Sequence, residues 1–247
     1  MQKMLTPAER LIVAADFKPM ASNRKDWVKT QVLALAKSLE GTGVYLKVNS
    51  ALRACGYGLI GEIQSLGLRV FADLKLCDIG ATLAMDGALL QEAKPDIVTA
   101  MCVSGVAPLK DLKWALPDTE VLGVTVLTSL NEHDAKALFG QTILGAVRRL
   151  ANIAVASEID GLVMSPAELV QVRGQYGTLS INTPGIRPSW AMVQGDDQNP
   201  DRVMTPAKAI KAGADRIVVG RPIVQAFNPY DAVMQTIAEI EKAMGAE

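Results

Sequence analysis

The sequence predicts an α/β protein, a single (β/α)8 TIM barrel, and three observations carry that prediction. Eight short apolar runs alternate with helix-patterned stretches along the whole chain, the rhythm of parallel strands joined by right-handed crossovers. Hydrophobic residues make up 49% of the composition but aromatic residues only 4%, so Ala, Val, Ile and Leu must fill the core, as in a parallel sheet buried on both faces. The length, 247 residues, suits one undivided barrel, and residues 1–247 read as one domain.

In order, the first strand is expected at residues 11–15, the apolar run Leu11-Ile12-Val13-Ala14-Ala15, followed by a helix over 26–39. The second strand, 44–48, precedes a helical pattern over 51–64, and the third, 70–74, precedes 82–92. Ile97-Val98-Thr99-Ala100-Met101 forms the fourth strand, before a helix at 106–115. The fifth strand, 121–127, is followed by a long pattern over 138–157, and the sixth, 161–164, by 166–176. Strands at 179–182 and 217–219 close the series, with helices at 206–212 and 231–244. The longest polar interruption, 187–205, holds Gly195, Asp196, Asp197, Gln198 and Asn199 after the seventh strand, on the side of a barrel where active sites lie. A loop of that length in a compact domain reads as a lid or binding loop.

Several functions are disfavoured at once. A net charge of −1 without a basic block gives no attraction to nucleic acid. No run is long enough to cross a bilayer, and the first apolar run lacks the basic flank of a signal segment. Cys55, Cys77 and Cys102 are odd in number and widely spaced, which suggests buried free thiols in a cytoplasmic protein. The single histidine, His133, sits in a polar helix start, so neither a Ser-His-Asp triad nor a typical zinc site is expected. Catalytic chemistry must then come from carboxylates and amines.

Charged residues inside apolar strands are the informative outliers, because burying an unpaired charge is costly. Asp16 ends the first strand, Lys47 lies in the second, Asp73 and Lys75 end the third, and Asp78 follows three residues on. Residues two apart on a strand share a face, so Asp73 and Lys75 are expected to point together into the barrel, within reach of Lys47. The outcome would be an alternating row of Lys and Asp whose charges cancel. The Asp-x-Lys-x-x-Asp spacing alone is weak; chance produces it in roughly 4% of chains this long. A second group closes the last two strands: Thr183-Pro184-Gly185-Ile186-Arg187-Pro188 and Val219-Gly220-Arg221-Pro222. Loops at those two positions of a barrel commonly bind phosphate, with glycines admitting the ligand to the backbone and arginines neutralising it.

Taken with Ala15-Asp16, Leu46-Lys47-Val48, Asp73-Leu74-Lys75-Leu76-Cys77-Asp78-Ile79 and Val124-Thr125-Val126-Leu127-Thr128-Ser129, these segments resemble the orotidine 5'-monophosphate decarboxylases over essentially the whole chain, most closely the bacterial, single-function form. The resemblance implies a homodimer that converts orotidine 5'-monophosphate to uridine 5'-monophosphate and CO2 without cofactor or metal. It implies Lys75 as proton donor beside C6 of the pyrimidine and Asp73 near the substrate carboxylate, positioned by Lys47. Asp16 and Lys47 would hold the ribose, Asp78 would reach the ribose of the other subunit's site, and Thr128 would contact the pyrimidine. Gln198, Gly220 and Arg221 would grip the phosphate with Arg187 nearby, a loop over 188–203 would close on it, and Thr82 completes the substrate-binding set.

Two departures stand out: Gly80-Ala81-Thr82 where the family usually has Pro-Asn-Thr, and Met101-Cys102 where a histidine is usual. Gly80 invites a rival, since related magnesium-dependent sugar-phosphate lyases and decarboxylases also carry Asp-x-Lys-x-x-Asp followed by x-Gly. They place an acidic metal ligand on strand two, however, where this chain has Lys47. A non-catalytic nucleotide-binding barrel is the other alternative, which fold alone does not exclude.

Overall fold

The computed structural model describes residues 4–20, 22–191 and 204–245. Eight parallel strands close in sequential order into a barrel, β1 Leu11–Ala14, β2 Tyr45–Val48, β3 Arg69–Leu76, β4 Ile97–Met101, β5 Glu120–Val124, β6 Gly161–Val163, β7 Ser180–Thr183 and β8 Arg216–Val219, with β8 pairing back onto β1. The helices that wrap it are α1 Arg24–Ser38, α2 Ser50–Cys55, α3 Gly58–Gln64, α4 Gly80–Ala93, α5 Val106–Ala115, α6 Glu132–Phe139, α7 Ile143–Ala156, α8 Pro166–Val172, α9 Pro206–Lys211, α10 Arg221–Val224 and α11 Pro229–Met244.

Alternation along the strands sorts the side chains. Leu11, Val13, Leu46, Val48, Val70, Ala72, Val98 and Ala100 turn outward into the main core between strands and helices. Ile12, Phe71, Ile97, Leu122 and Val218 turn inward and plug the barrel as a separate apolar layer. Below that plug, at the N-terminal ends of the strands, lies an ionic floor. Arg216 pairs with Glu120 at 2.8 Å, Arg69 pairs with Glu9 at 3.0 Å, and both guanidinium groups pack on the Tyr45 ring.

Three sequence expectations need correction. The pattern at 51–64 is two helices, because Gly56 takes φ +83° and breaks the first turn series. The stretch at 138–157 is likewise split: α6 ends on Gly140 at φ +71°, and α7 restarts behind Thr142, whose side chain accepts from the Gly145 amide. The cysteines are free but not all buried. Cys102 is buried, and burial pushes its thiol up to about 12, whereas Cys77 is exposed beyond the end of β3. His133 is solvent-exposed in the first turn of α6, behind an Asn131–Asp134 capping box. No helix among the described residues is long and apolar enough to cross a membrane.

Candidate active site

The C-terminal ends of the first three strands deliver the members of a charge row. β1 ends just before Asp16, β2 supplies Lys47, and β3 supplies Asp73 and Lys75. The Lys47 ammonium lies 2.9 Å from Asp16 and 3.2 Å from Asp73. The Lys75 ammonium lies 2.7 Å from both oxygens of Asp73. Two positive and two negative charges therefore alternate in one line, with Lys47 and Asp73 buried in its middle. Burial works against the Lys47 ammonium, but Asp73 and Asp16 outweigh it and hold its pKa above the ordinary lysine value. Burial also opposes ionisation of Asp73. Lys47 and Lys75, with hydrogen bonds from Lys75 and Thr99, reverse that and hold its carboxyl below the usual range.

The row forms one wall of a cavity of about 460 Å3, within the range of small-ligand sites. Phe71, Val124, Val126, Val163, Met164 and Val218 line its apolar side. Thr128 and Leu127 border it, and Pro184, Gly185, Arg187, Gly220 and Arg221 converge from the loops after β7 and β8. Arg187 is buried, and Gly185 has φ +78°, a backbone conformation that favours glycine. One end of the cavity is thus rich in backbone and guanidinium groups, and the other holds the ammonium–carboxylate row. A larger recess of about 840 Å3 opens at the opposite mouth, where Glu9 pairs with Arg69, Glu120 with Arg216, Asp160 with Lys113 and Asp215 with Arg173. In barrels that end serves stability.

A family pattern described as orotidine 5'-phosphate decarboxylase / HUMPS family matches residues 9–236. The chain belongs to that family. It is 38% identical over 248 residues to the orotidine 5'-phosphate decarboxylase of Saccharophagus degradans, covering 97% of this chain and 98% of that protein. Identity to the decarboxylase of Afipia carboxidovorans is also 38%, over 245 residues, covering 98% of this chain and 99% of the relative. Among solved structures, orotidine 5'-phosphate decarboxylase from Lactobacillus acidophilus superposes with a TM-score of 0.77 at 26% identity, covering 94% of this chain and 99% of that one.

The family's expected residues fall into three groups. Asp16, Lys47, Asp73, Lys75, Thr128, Arg187, Gly220 and Arg221 meet around one cavity. Asp78 and Thr82 do not line it. Asp78 is exposed and its carboxylate accepts from the Ile79 amide, while Thr82 sits on the first turn of α4. The row within one chain therefore runs Asp16–Lys47–Asp73–Lys75 and stops short of Asp78. Gln198 and most of the 188–203 loop lie outside the described residues.

The strand-parity argument for Lys75 also needs correction. Its backbone is left-handed, φ +50°, not extended. The ladder between β3 and β4 pairs Ala72 with Val98 and next pairs Leu76 with Ala100, so β3 advances four residues while β4 advances two. Lys75 reaches Asp73 across this bulge. Sequence reasoning missed Thr99, which is fully buried and hydrogen-bonds Asp73 at 2.9 Å. Its signal was available: a polar side chain inside an apolar strand.

Proposed function

We propose that this chain decarboxylates orotidine 5'-monophosphate to uridine 5'-monophosphate and CO2, the last step of de novo pyrimidine nucleotide synthesis, as a cytoplasmic enzyme needing neither cofactor nor metal. The observation that carries the reading is the Asp16–Lys47–Asp73–Lys75 row, set on one wall of a nucleotide-sized cavity in a member of this family.

In this reading the phosphate lies toward Arg187, Gly220 and Arg221, the ribose against Asp16 and Lys47, and the pyrimidine against Thr128 and the apolar wall. That places C6 and its carboxylate over Asp73 and Lys75. The C6–carboxylate bond breaks, CO2 departs, and its electron pair stays on C6. Lys75 then delivers a proton to C6 and recovers one from solvent. At about 3 Å and an effective dielectric near 20, an ammonium stabilises such a carbanion by about 5 kcal/mol. A reaction this slow in water needs a barrier reduction of order 20 kcal/mol, so one cation is not enough. The remainder falls to the preorganised row, to repulsion between Asp73 and the substrate carboxylate, and to phosphate binding energy that drives closure.

A homodimer completes the proposal. Asp78 and Thr82 do not line the cavity of their own chain, and near them in sequence Ile79, Met85 and Leu89 are each more than half accessible. Exposed apolar side chains at this place suit contact with a second copy, which would receive Asp78 at its ribose site. The magnesium-dependent rival is disfavoured at Lys47 rather than at Gly80. A Cβ at Gly80 would clash only with the carboxylate of the exposed Asp111 on α5, a side chain free to swing aside, so packing does not require the glycine. Lys47, meanwhile, already fills the space between Asp16 and Asp73 where a second cation would be repelled.

The test is loss of orotidine 5'-monophosphate absorbance with purified protein in excess EDTA. Conversion to uridine 5'-monophosphate is expected. No conversion, with sugar-phosphate chemistry restored by magnesium, would overturn the reading.

A further inference from the structure

We propose that Thr99 is a positioning residue that holds the left-handed backbone of Lys75 and the carboxylate of Asp73 in register with each other. The inference rests on the decarboxylase reading for its kinetic consequences, but the geometry stands without it. Lys75 is a non-glycine residue at φ +50°, a conformation that persists only where the surroundings impose it. The bulge removes its normal ladder partner, because β3 gains two residues on β4 between Ala72 and Leu76. The Lys75 amide instead donates to Thr99 Oγ1 at 2.9 Å, and the same hydroxyl donates to Asp73 Oδ1 at 2.9 Å. An amide only donates and a carboxylate only accepts, so the hydroxyl must accept from Lys75 and donate to Asp73. On the other side of the kink, Arg53 donates to the Leu74 carbonyl at 2.7 Å.

Thr99 is itself 0% exposed, so water does not compete for the hydroxyl. The groups facing Asp73 are Lys47 from β2, Lys75 from β3 and Thr99 from β4, with Asp16 behind Lys47. Among the described residues, Thr99 alone hydrogen-bonds both the carboxylate and the Lys75 backbone. Its hydroxyl fixes the peptide from which the Lys75 side chain departs, and so the place where the ammonium stands over Asp73.

The experiment compares Thr99→Val, which keeps shape and β-branching but loses the hydroxyl, with Thr99→Ser, which keeps the hydroxyl. Backbone amide exchange at Lys75 is read first, without substrate. In Thr99→Val it should accelerate about tenfold relative to neighbouring β3 amides, and in Thr99→Ser it should stay near the wild-type rate. On orotidine 5'-monophosphate, kcat of Thr99→Val should fall about tenfold or more with KM nearly unchanged. The acid limb of its pH profile should move upward, because Asp73 loses a hydrogen bond to its charged form, and Thr99→Ser should recover most of both. Thr99→Ala gives the same comparison if valine is not accommodated. Wild-type protection of the Lys75 amide in Thr99→Val would overturn the proposal, as would equal losses in Thr99→Val and Thr99→Ser. Failure of wild-type protein to convert orotidine 5'-monophosphate would sink the functional reading only, since amide exchange still decides the role of Thr99.

Discussion

Replacing Lys47 by methionine tests the electrostatic logic of the row most directly. In the native row Asp73 is 6% exposed and Lys47 8% exposed, and the two meet at 3.2 Å. Deleting one member of a buried ion pair costs about 3–5 kcal/mol, because the survivor keeps its desolvation penalty. Asp73 retains Lys75 at 2.7 Å and Thr99 at 2.9 Å, so the expected loss lies at the lower end, about 3 kcal/mol at pH 8. The sign of the pH dependence follows from the surviving carboxylate. In the wild type its pKa is depressed, so its stabilising contribution is present above the unfolded value and is lost as pH falls through the folded one. Lys47 has a raised pKa, so its contribution is complete below the unfolded lysine value and constant from pH 4.5 to 8. Without Lys47, Asp73 loses the stronger of the two ammonium attractions that hold its carboxyl down against burial, and its pKa is expected to rise. The variant should then gain ground on the wild type as pH falls from 8 toward 4.5 and Asp73 takes up a proton. Urea denaturation at both pH values and one fixed protomer concentration measures this. A loss below about 1 kcal/mol at pH 8, or one that stays constant on acidification, would refute the reasoning.

Two further outcomes are expected. Lys75→Ala and Asp78→Ala should each be nearly inactive alone while still binding nucleotide. An unfolded and refolded equal mixture should regain about a quarter of wild-type activity if Asp78 acts across a two-fold interface, and nothing if it serves its own chain. Gly87→Ala should destabilise the protein by about 1–3 kcal/mol in thermal or urea melts, because its Cβ would stand 2.7 Å from that of Ala115 and 3.3 Å from Leu112 in the tightly packed α4–α5 contact.

The eight-strand rhythm was legible because parallel barrel strands, buried on both faces, show as unbroken apolar runs. Asp16, Lys47, Asp73 and Lys75 were legible for the converse reason, as charges where charge is costly. What the sequence hides is backbone geometry. Nothing about a lysine signals φ +50°, since the bulge is imposed by the fit of β3 against β4. The helix divisions left clearer traces in Gly56 and Gly140, yet an apolar pattern that resumes beyond a glycine reads as one continuous helix. Thr99 was overlooked because a threonine suits a strand on propensity alone, and its hydroxyl acquires meaning only beside Asp73.

The apolar plug of Ile12, Phe71, Ile97, Leu122 and Val218 has a practical consequence. It insulates the ionic floor around Arg216 and Glu120 from the row around Asp73, two polar assemblies in one lumen that share no hydrogen bond among the described residues. Changes to the two should combine nearly additively, as separated sites without common partners do. The lower mouth can therefore be rebuilt for heat resistance, or softened for cold, while the chemistry above it keeps its tuning.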